Sequence, residues 1–374
     1  MSATSSTVIV LGGYGVFGSR IVRSLARHPE LEVVIAGRDL LAAQTLKDAV
    51  AAPQVRALRV DLSRGPDITV MLASRPTVVV DTVGPFQERD RTLAERCIDA
   101  GAHYVDLADD RLHVAGISAL NARAKQHELA VISGASTVPA ISTALVEDLA
   151  PDPNTVIEIE VGISPGHRAP RGLATVRAIL SYCGQPIPAV VGEQHTRGWG
   201  DLTRHRYPDP VGMRWLSNVD APERALWRDR YPILRRATIQ AGLELGVLHL
   251  GLSLLSRGVR LHVLPRLDRW APPFLQIATA LDRWGTDTGA MHVRVVMRDA
   301  SGRTSTRTAT LLAERGDGPQ IPATPAALIV KKLLALPGYA PLRERGAMPC
   351  VGLITRQEIL SELEGLAIRY QVSD

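Results

Sequence analysis

Residues 7–25 read TVIVLGGYGVFGSRIVRSL, an apolar run that meets closely spaced glycines and continues as a helical pattern. Gly13, Gly15 and Gly18 stand at G-x-G-x-x-G spacing, with Gly12 just before them. The first of the three permits a tight turn, the second lets backbone approach a pyrophosphate, and the third lets the helix pack closely on the strand. Unpaired N–H groups at the start of the helix attract phosphate. Gly12, Gly13, Tyr14, Gly15, Val16, Phe17 and Gly18 are therefore the expected seat of a dinucleotide.

Outward from this turn, six strand-like runs alternate with helical patterns as far as Ser133: TVIVL, LEVVIA, VRALRV, TVVVD, HYVDL and LAVIS. Continuous Val/Ile/Leu runs suit strands buried on both faces of a parallel sheet. The expected fold is α/β, with a doubly wound Rossmann domain over residues 1–150.

In such a sheet ligands bind outside the carboxyl ends of the strands. Arg38 ends the second strand, about twenty positions past the glycines, where a guanidinium suits the 2′-phosphate of NADP and an acidic residue would suit NAD. NADP is the expected cofactor, and Asp39 beside it keeps NAD as the alternative. Asp61 and Leu62 follow the third strand and are placed at the adenine. Thr82, Val83, Gly84 and Pro85 follow the fourth and are placed beside the nicotinamide half. Asp106 and Asp109, after strand five, are candidates for moving a proton, and Ser136 and Thr137, after strand six, for touching substrate.

Beyond Pro151 the texture changes. VIEIEVGI, residues 156–163, alternates as a half-buried strand, and MHVRVVM and RTSTRTATLL flank the turn at residues 299–302 as an antiparallel hairpin. A helix is expected near residues 173–183. This makes residues 151–322 an α+β domain for substrate and dimerisation, and residues 323–374 two helices around a short strand that pack back on either domain. SPGHRAPRG, residues 164–172, carries His167 as a further proton-transfer candidate, with Arg168 and Arg171 placed to grip a carboxylate or phosphate. Residues 241–259 nearly reach membrane-spanning length but include Glu244 and His249, each costly in a bilayer. They read as a buried or subunit-interface helix of a homodimer, with membrane contact as the alternative.

Several classes are excluded. With 43 basic and 38 acidic side chains spread evenly, no basic block marks a nucleic-acid surface. Cys97, Cys183 and Cys350 form no Cys-x-x-Cys pair, and the histidines show no ligand spacing, so neither disulfides nor a metal are expected. Cys183 reads as a space-filling core residue. The first apolar run is too short for a signal peptide, which fits a cytoplasmic protein. No Tyr-x-x-x-Lys pair and no G-x-S-x-G elbow occur, which removes the short-chain dehydrogenase base and the hydrolase serine.

Together GGYGVFG, AGR, VVVDTVGPF, AHYVDLAD, SGASTVPA and GISPGHRAPRGLATVRAIL resemble the saccharopine dehydrogenase-like NAD(P)-binding family over nearly the whole chain. The resemblance implies a Rossmann domain followed by a substrate and dimerisation domain. Most relatives reduce an imine, and the trans-acting enoyl reductases reduce a C=C bond. SGASTVPAIS departs from the glycine-rich turn of saccharopine reductases, which argues against saccharopine itself. The expectation is an NADPH-dependent oxidoreductase acting on the C=N bond of a small amine or amino-acid-like molecule. Enoyl reduction on a lipid or polyketide, or a non-catalytic NADPH sensor or docking protein, are the alternatives.

Overall fold

The computed structural model describes residues 6–87, 89–192 and 195–374. In chain order the strands are β1 (Ser6–Leu11), β2 (Leu31–Gly37), β3 (Val55–Arg59), β4 (Val78–Asp81), β5 (His103–Asp106), β6 (Ala130–Ser133), β7 (Val156–Ser164) and β8 (Pro186–Pro188). They continue as β9 (His195–Arg197), β10 (Thr203–Arg206), β11 (Met213–Asn218), β12 (Arg236–Ala241), β13 (Gly289–Arg298), β14 (Thr304–Ala313), β15 (Gly346–Pro349) and β16 (Ile368–Ser373). The helices are α1 (Gly18–Leu25), α2 (Leu40–Val50), α3 (Gly65–Ala73), α4 (Thr92–Asp99), α5 (Arg111–Gly116), α6 (Asn121–Gln126) and α7 (Ser142–Leu149). After them come α8 (Leu173–Ser181), α9 (Glu223–Arg230), α10 (Gly246–Arg260), α11 (Ala271–Ala280), α12 (Gln320–Leu333) and α13 (Arg356–Glu362).

Two compact units result, residues 1–140 with 320–354 and residues 141–319 with 355–374. The first holds one parallel sheet in the order β15-β6-β5-β4-β1-β2-β3. Its six expected strands are all present, and Val8–Leu11 and Val78–Val80 are buried as the unbroken apolar runs require. Ile9, Leu11, Val79, Tyr104 and Val131 pack on one face against Met71 of α3 and Cys97 and Ile98 of α4. Strand order reverses between β1 and β4, which opens the ligand crevice at their carboxyl ends.

The division differs from the expected one in two places. Helix α7 belongs to the second unit, where it packs on β13 and β14, so the boundary falls at Ala140 rather than at residue 150. The tail forms no single segment. Its β15 pairs with the edge strand β6, and α12, mostly apolar and burying even Lys331 and Lys332, is buried almost throughout and packs on α1. Helix α13 packs on α7, and β16, unforeseen in the sequence, pairs with β14.

The second unit carries a mixed sheet in the order β10-β11-β12-β7-β13-β14-β16. The alternation of β7 is realised, with Ile157, Ile159 and Val161 buried and Glu158 and Glu160 half-buried. The β13–β14 hairpin pairs as expected, from Gly289 opposite Ala313 to Arg298 opposite Thr304. Residues 241–259 are not one helix. β12 runs to Ala241, and Gly242 lies so close to β11 that a Cβ there would stand 2.2 Å from the Trp215 carbonyl oxygen. Glu244 then turns aside to accept hydrogen bonds from the N–H groups of His167 and Thr286. Only at Gly246 does α10 begin, and it is not a buried helix either, since Val247 and Leu254 stand in solvent. Among the described residues no helix is long and apolar enough to cross a membrane.

Glu223, at the start of α9, is fully buried and accepts a hydrogen bond from Ser142 Oγ. Burial raises its pKa to about 7. A carboxyl raised in the folded state contributes stability below its ordinary titration range and loses that contribution as pH rises through 7. The stability of the wild type against denaturant should therefore fall between about pH 4.5 and 7 and level off above 7. Glu223→Gln should flatten this dependence and, relative to the wild type, gain roughly 1.4 kcal/mol per pH unit between pH 4.5 and 7 and nothing further above 7. A variant with the wild-type pH profile would refute the assignment.

Candidate nucleotide site

The glycine turn joins β1 to α1. Gly12 adopts φ +69°, open to glycine at little cost, and a Cβ there would stand 2.7 Å from Thr82 Oγ1. Gly18 abuts the turn itself, its absent Cβ only 2.3 Å from the Gly12 oxygen. This close approach lets α1 start directly beneath the turn. Helix α1 has no side-chain cap, and among the described residues no carbonyl accepts from the N–H groups of Val16, Phe17 and Gly18. Three backbone donors are thus available to an anion at a helix N-terminus.

Tyr14 ties the turn to the end of β2. Its ring lies over Gly37, where a Cβ would stand 2.5 Å from Cε1, and its hydroxyl accepts from the Asp39 N–H at 3.0 Å. Between these anchors Arg38 is exposed and makes no ion pair among the described residues. Asp39 is committed elsewhere, because its carboxylate caps α2 by accepting from the Ala42 N–H. Asp61 accepts from the Ser63 N–H and hydroxyl, which hold its carboxyl below the usual range, and the charges of Arg38 and Arg59 add to that. Leu62 packs half-buried against the core.

Across the reversal of strand order, the loop after β4 lies against the glycine turn. Thr82 Oγ1 donates to the Leu11 carbonyl at 2.8 Å, and Val83 Cγ2 is 3.1 Å from where a Gly12 Cβ would be. Gly84 and Pro85 continue this loop, half-buried, towards Phe86. The structure thereby brings Gly12 against Thr82, 70 positions further along the chain, and against Val83.

Beneath the crevice lies a charged floor, of which the sequence reading named Asp106 but missed Asp81, Arg89 and His113. Asp81, at the end of β4, is fully buried and accepts from Arg89 at 2.7 Å, from the Val83 N–H at 2.9 Å and from the Tyr104 hydroxyl at 3.3 Å. Asp106, at the end of β5, is equally buried and accepts from the N–H groups of Ala108 and Gly134 and from Ser133 Oγ. Its other oxygen faces His113 Nε2 at 3.4 Å. Burial opposes the His113 imidazolium, but Asp106 outweighs that and the histidine titrates above its ordinary value. The available signal was that VVVD and HYVD both place an aspartate at a strand's carboxyl end. Asp106 therefore organises the loops after β5 and β6 from below and cannot reach a substrate directly. Asp109 is an exposed residue whose carboxyl accepts from Gln87 Nε2 at 3.2 Å and is raised above its ordinary pKa by burial, and Ser136 and Thr137 are half-buried in the loop after β6.

Burial raises the Asp81 carboxyl pKa, against the charge of Arg89. Arg89→Met removes that counter-charge and is expected to cost about 3–5 kcal/mol at neutral pH. Because a raised carboxyl loses its stabilising contribution as pH rises, the loss should be smaller at pH 5 than at pH 8. Equal losses at both pH values, measured by denaturant unfolding, would mean that Arg89 acts through packing alone.

Residues 8–134 match the family described as saccharopine dehydrogenase NADP binding domain. This matched stretch, about a third of the chain, is what resembles such a domain. Comparison with curated proteins gives no match. Among solved structures, the chain shares its fold with apo saccharopine dehydrogenase (L-Glu forming) from Saccharomyces cerevisiae at 15% identity, with a TM-score of 0.66 over 99% of this chain and 100% of that one. It also shares its fold with a homospermidine synthase from Legionella pneumophila in complex with NAD, at 11% identity, with a TM-score of 0.57 over 99% and 91% of the two chains. The likeness to saccharopine dehydrogenases thus rests on residues 8–134, and what extends over the whole chain is the fold.

Outside residues 8–134, the SPGHRAPRG residues are engaged within the second unit. The His167 ring reaches the Ala278 carbonyl at 2.8 Å and Asp282 at 3.4 Å. Arg171 is paired with Asp282, and Arg168 Nε donates to the Asp282 carbonyl at 3.3 Å. These side chains pin one loop to another, and Arg171 would have to leave Asp282 to grip a substrate. Cys183 is buried, its thiol pushed up to about 12, which suits a core residue and not a nucleophile.

The same unit holds a polar cavity of about 730 Å³ bordered by Glu160, His205, Thr238, Gln240 and Arg294. His205 and His292 stack 3.7 Å apart and nearly parallel, and Glu160 lies 3.4 Å from His292 Nε2. The ligating atoms of the three lie within 4.8 Å of one another, a cluster invisible in sequence because it joins β7, β10 and β13. Parallel rings this close cannot both aim an in-plane lone pair at one ion at about 2.1 Å. As arranged, the cluster is a hydrogen-bonded group anchored by the Tyr207 hydroxyl, 3.0 Å from His292 Nδ1.

Proposed function

We propose that this protein is an NADPH-dependent oxidoreductase that reduces the C=N bond of a small amine or amino-acid-like substrate, or forms it in reverse. The observation that carries the cofactor reading is the pairing of three open backbone donors at Val16, Phe17 and Gly18 with the unpaired Arg38 at the end of β2. Pyrophosphate takes the amides and the helix N-terminus, and the 2′-phosphate takes the guanidinium. Bound NADPH supplies the hydride. The chain's part is orientation: Thr82 and Val83 border the nicotinamide side, and the Asp81–Arg89 and Asp106–His113 pairs keep the loops after β4, β5 and β6 in place. Asp109, exposed at the rim, is the carboxylate able to exchange a proton with a substrate.

For the substrate, support comes from the two solved structures of the same fold, named for saccharopine and homospermidine, both amino compounds. A second reading, enoyl reduction on a lipid, is favoured by the outward-facing Val247 and Leu254 of α10. Oxidation of NADPH followed at its absorbance band, with cyclic imines, amine plus carbonyl pairs and enoyl thioesters, separates the two. Turnover only with the thioesters would replace the first reading by the second. Tight NADPH binding without turnover on any of them would make the protein a sensor.

A further inference from the structure

Helix α10 is turned inside out. Its inward stripe includes His249, Ser253 and Ser256, of which His249 Nε2 lies 3.0 Å from Ser217 Oγ and Ser256 Oγ donates to the Gly198 carbonyl at 2.8 Å. Outward it presents Val247, Leu250 and Leu254, the first 72% and the last 67% exposed. The pattern continues along the chain. Leu261 and Val263 are exposed, α11 contains no acidic residue and buries only Ala271, and Trp270 and Trp284 stand in solvent on either side of it. Among the described residues, eight of the sixteen exposed large hydrophobic residues fall between Val247 and Trp284, about a tenth of the chain. Each forgoes roughly 1.5–3 kcal/mol of burial, so a concentration of this kind marks a surface made to be covered.

Charge indicates what covers it. Residues 246–284 contain Arg257, Arg260, Arg266, Arg269 and Arg283, all exposed, against two acids. Both acids are already taken, Asp268 by Arg266 at 3.6 Å and Asp282 by Arg171. A two-fold contact with a second copy would set this arginine-rich surface against itself. A layer of anionic headgroups supplies the missing negative charge, and the apolar boundary below it accepts leucine and tryptophan.

We propose that residues 246–284 dock the protein on an anionic phospholipid bilayer, lying in its interface and not crossing it. Leu250, Leu254 and Ile277 enter the acyl boundary, and the arginines meet lipid phosphates. Co-sedimentation of the full-length protein with vesicles tests this, using phosphatidylcholine alone and phosphatidylcholine mixed with phosphatidylglycerol. Binding is expected to the mixed vesicles and to weaken with salt, together with a blue shift of tryptophan emission that Trp270→Phe with Trp284→Phe removes. Leu254→Asp with Ile277→Asp should reduce binding at least roughly tenfold. Both side chains face solvent, so the unfolding midpoint and NADPH affinity should stay as in the wild type. No binding to mixed vesicles overturns the proposal, as does equal binding to phosphatidylcholine alone. A dimer in light scattering that Leu254→Asp dissociates, without vesicle binding, would assign the surface to a second copy.

Discussion

Alanine at Gly18 is expected to cost this protein its nucleotide affinity, raising the NADPH Kd at least roughly 100-fold, equivalent to about 3 kcal/mol. The added methyl would meet the Gly12 oxygen at 2.3 Å and the Gly13 Cα at 2.8 Å, both backbone atoms of the turn. Neither can swing aside as a side chain could, so α1 must move away from the turn. Overpacking of this kind costs about 1–3 kcal/mol by itself. It also displaces the Val16, Phe17 and Gly18 amides from the positions proposed to hold a phosphate. Gly65→Ala is the matched control, since a Cβ there meets nothing within 4 Å. Fluorescence titration with NADPH decides the matter, and a Gly18→Ala protein binding as the wild type does would sink the site assignment.

Arg38→Ala is expected to lower NADPH affinity by roughly ten- to a hundredfold, the range of a charge-assisted hydrogen bond of about 1.5–3 kcal/mol, while NADH affinity changes little. The asymmetry follows from geometry. Asp39, the residue that would favour NAD, spends its carboxylate on the α2 N-terminus, while Arg38 is left open beside the turn. Titration of both cofactors against both proteins measures the ratio. Equal losses for NADPH and NADH would show that Arg38 only steers anions in general.

Much of the fold was legible because its signals are local. Six apolar runs, a glycine spacing and the alternation of β7 each depend on a few neighbouring residues, and each formed the element expected. The readings that shifted all depended on distant partners. Residues 241–259 read as one helix until β11 pressed on Gly242 and the loop amides of His167 and Thr286 drew Glu244 aside. Arg171 read as a substrate grip until Asp282, 111 positions later, came to face it. Asp106 read as a proton donor until Ser133, Gly134 and His113 enclosed it.

Sequence by itself determined the parallel sheet, its glycine turn and the arginine at the end of β2, because hydrophobic periodicity and the need for Cβ-free positions are written in consecutive residues. Tertiary structure alone decided which acids are buried and paired, which side of α10 faces water, and how the tail is shared between the two units. Burial and charge pairing depend on which atoms lie nearby in space, and strands such as β4 and β5, or β7 and β10, bring together residues that no local pattern links.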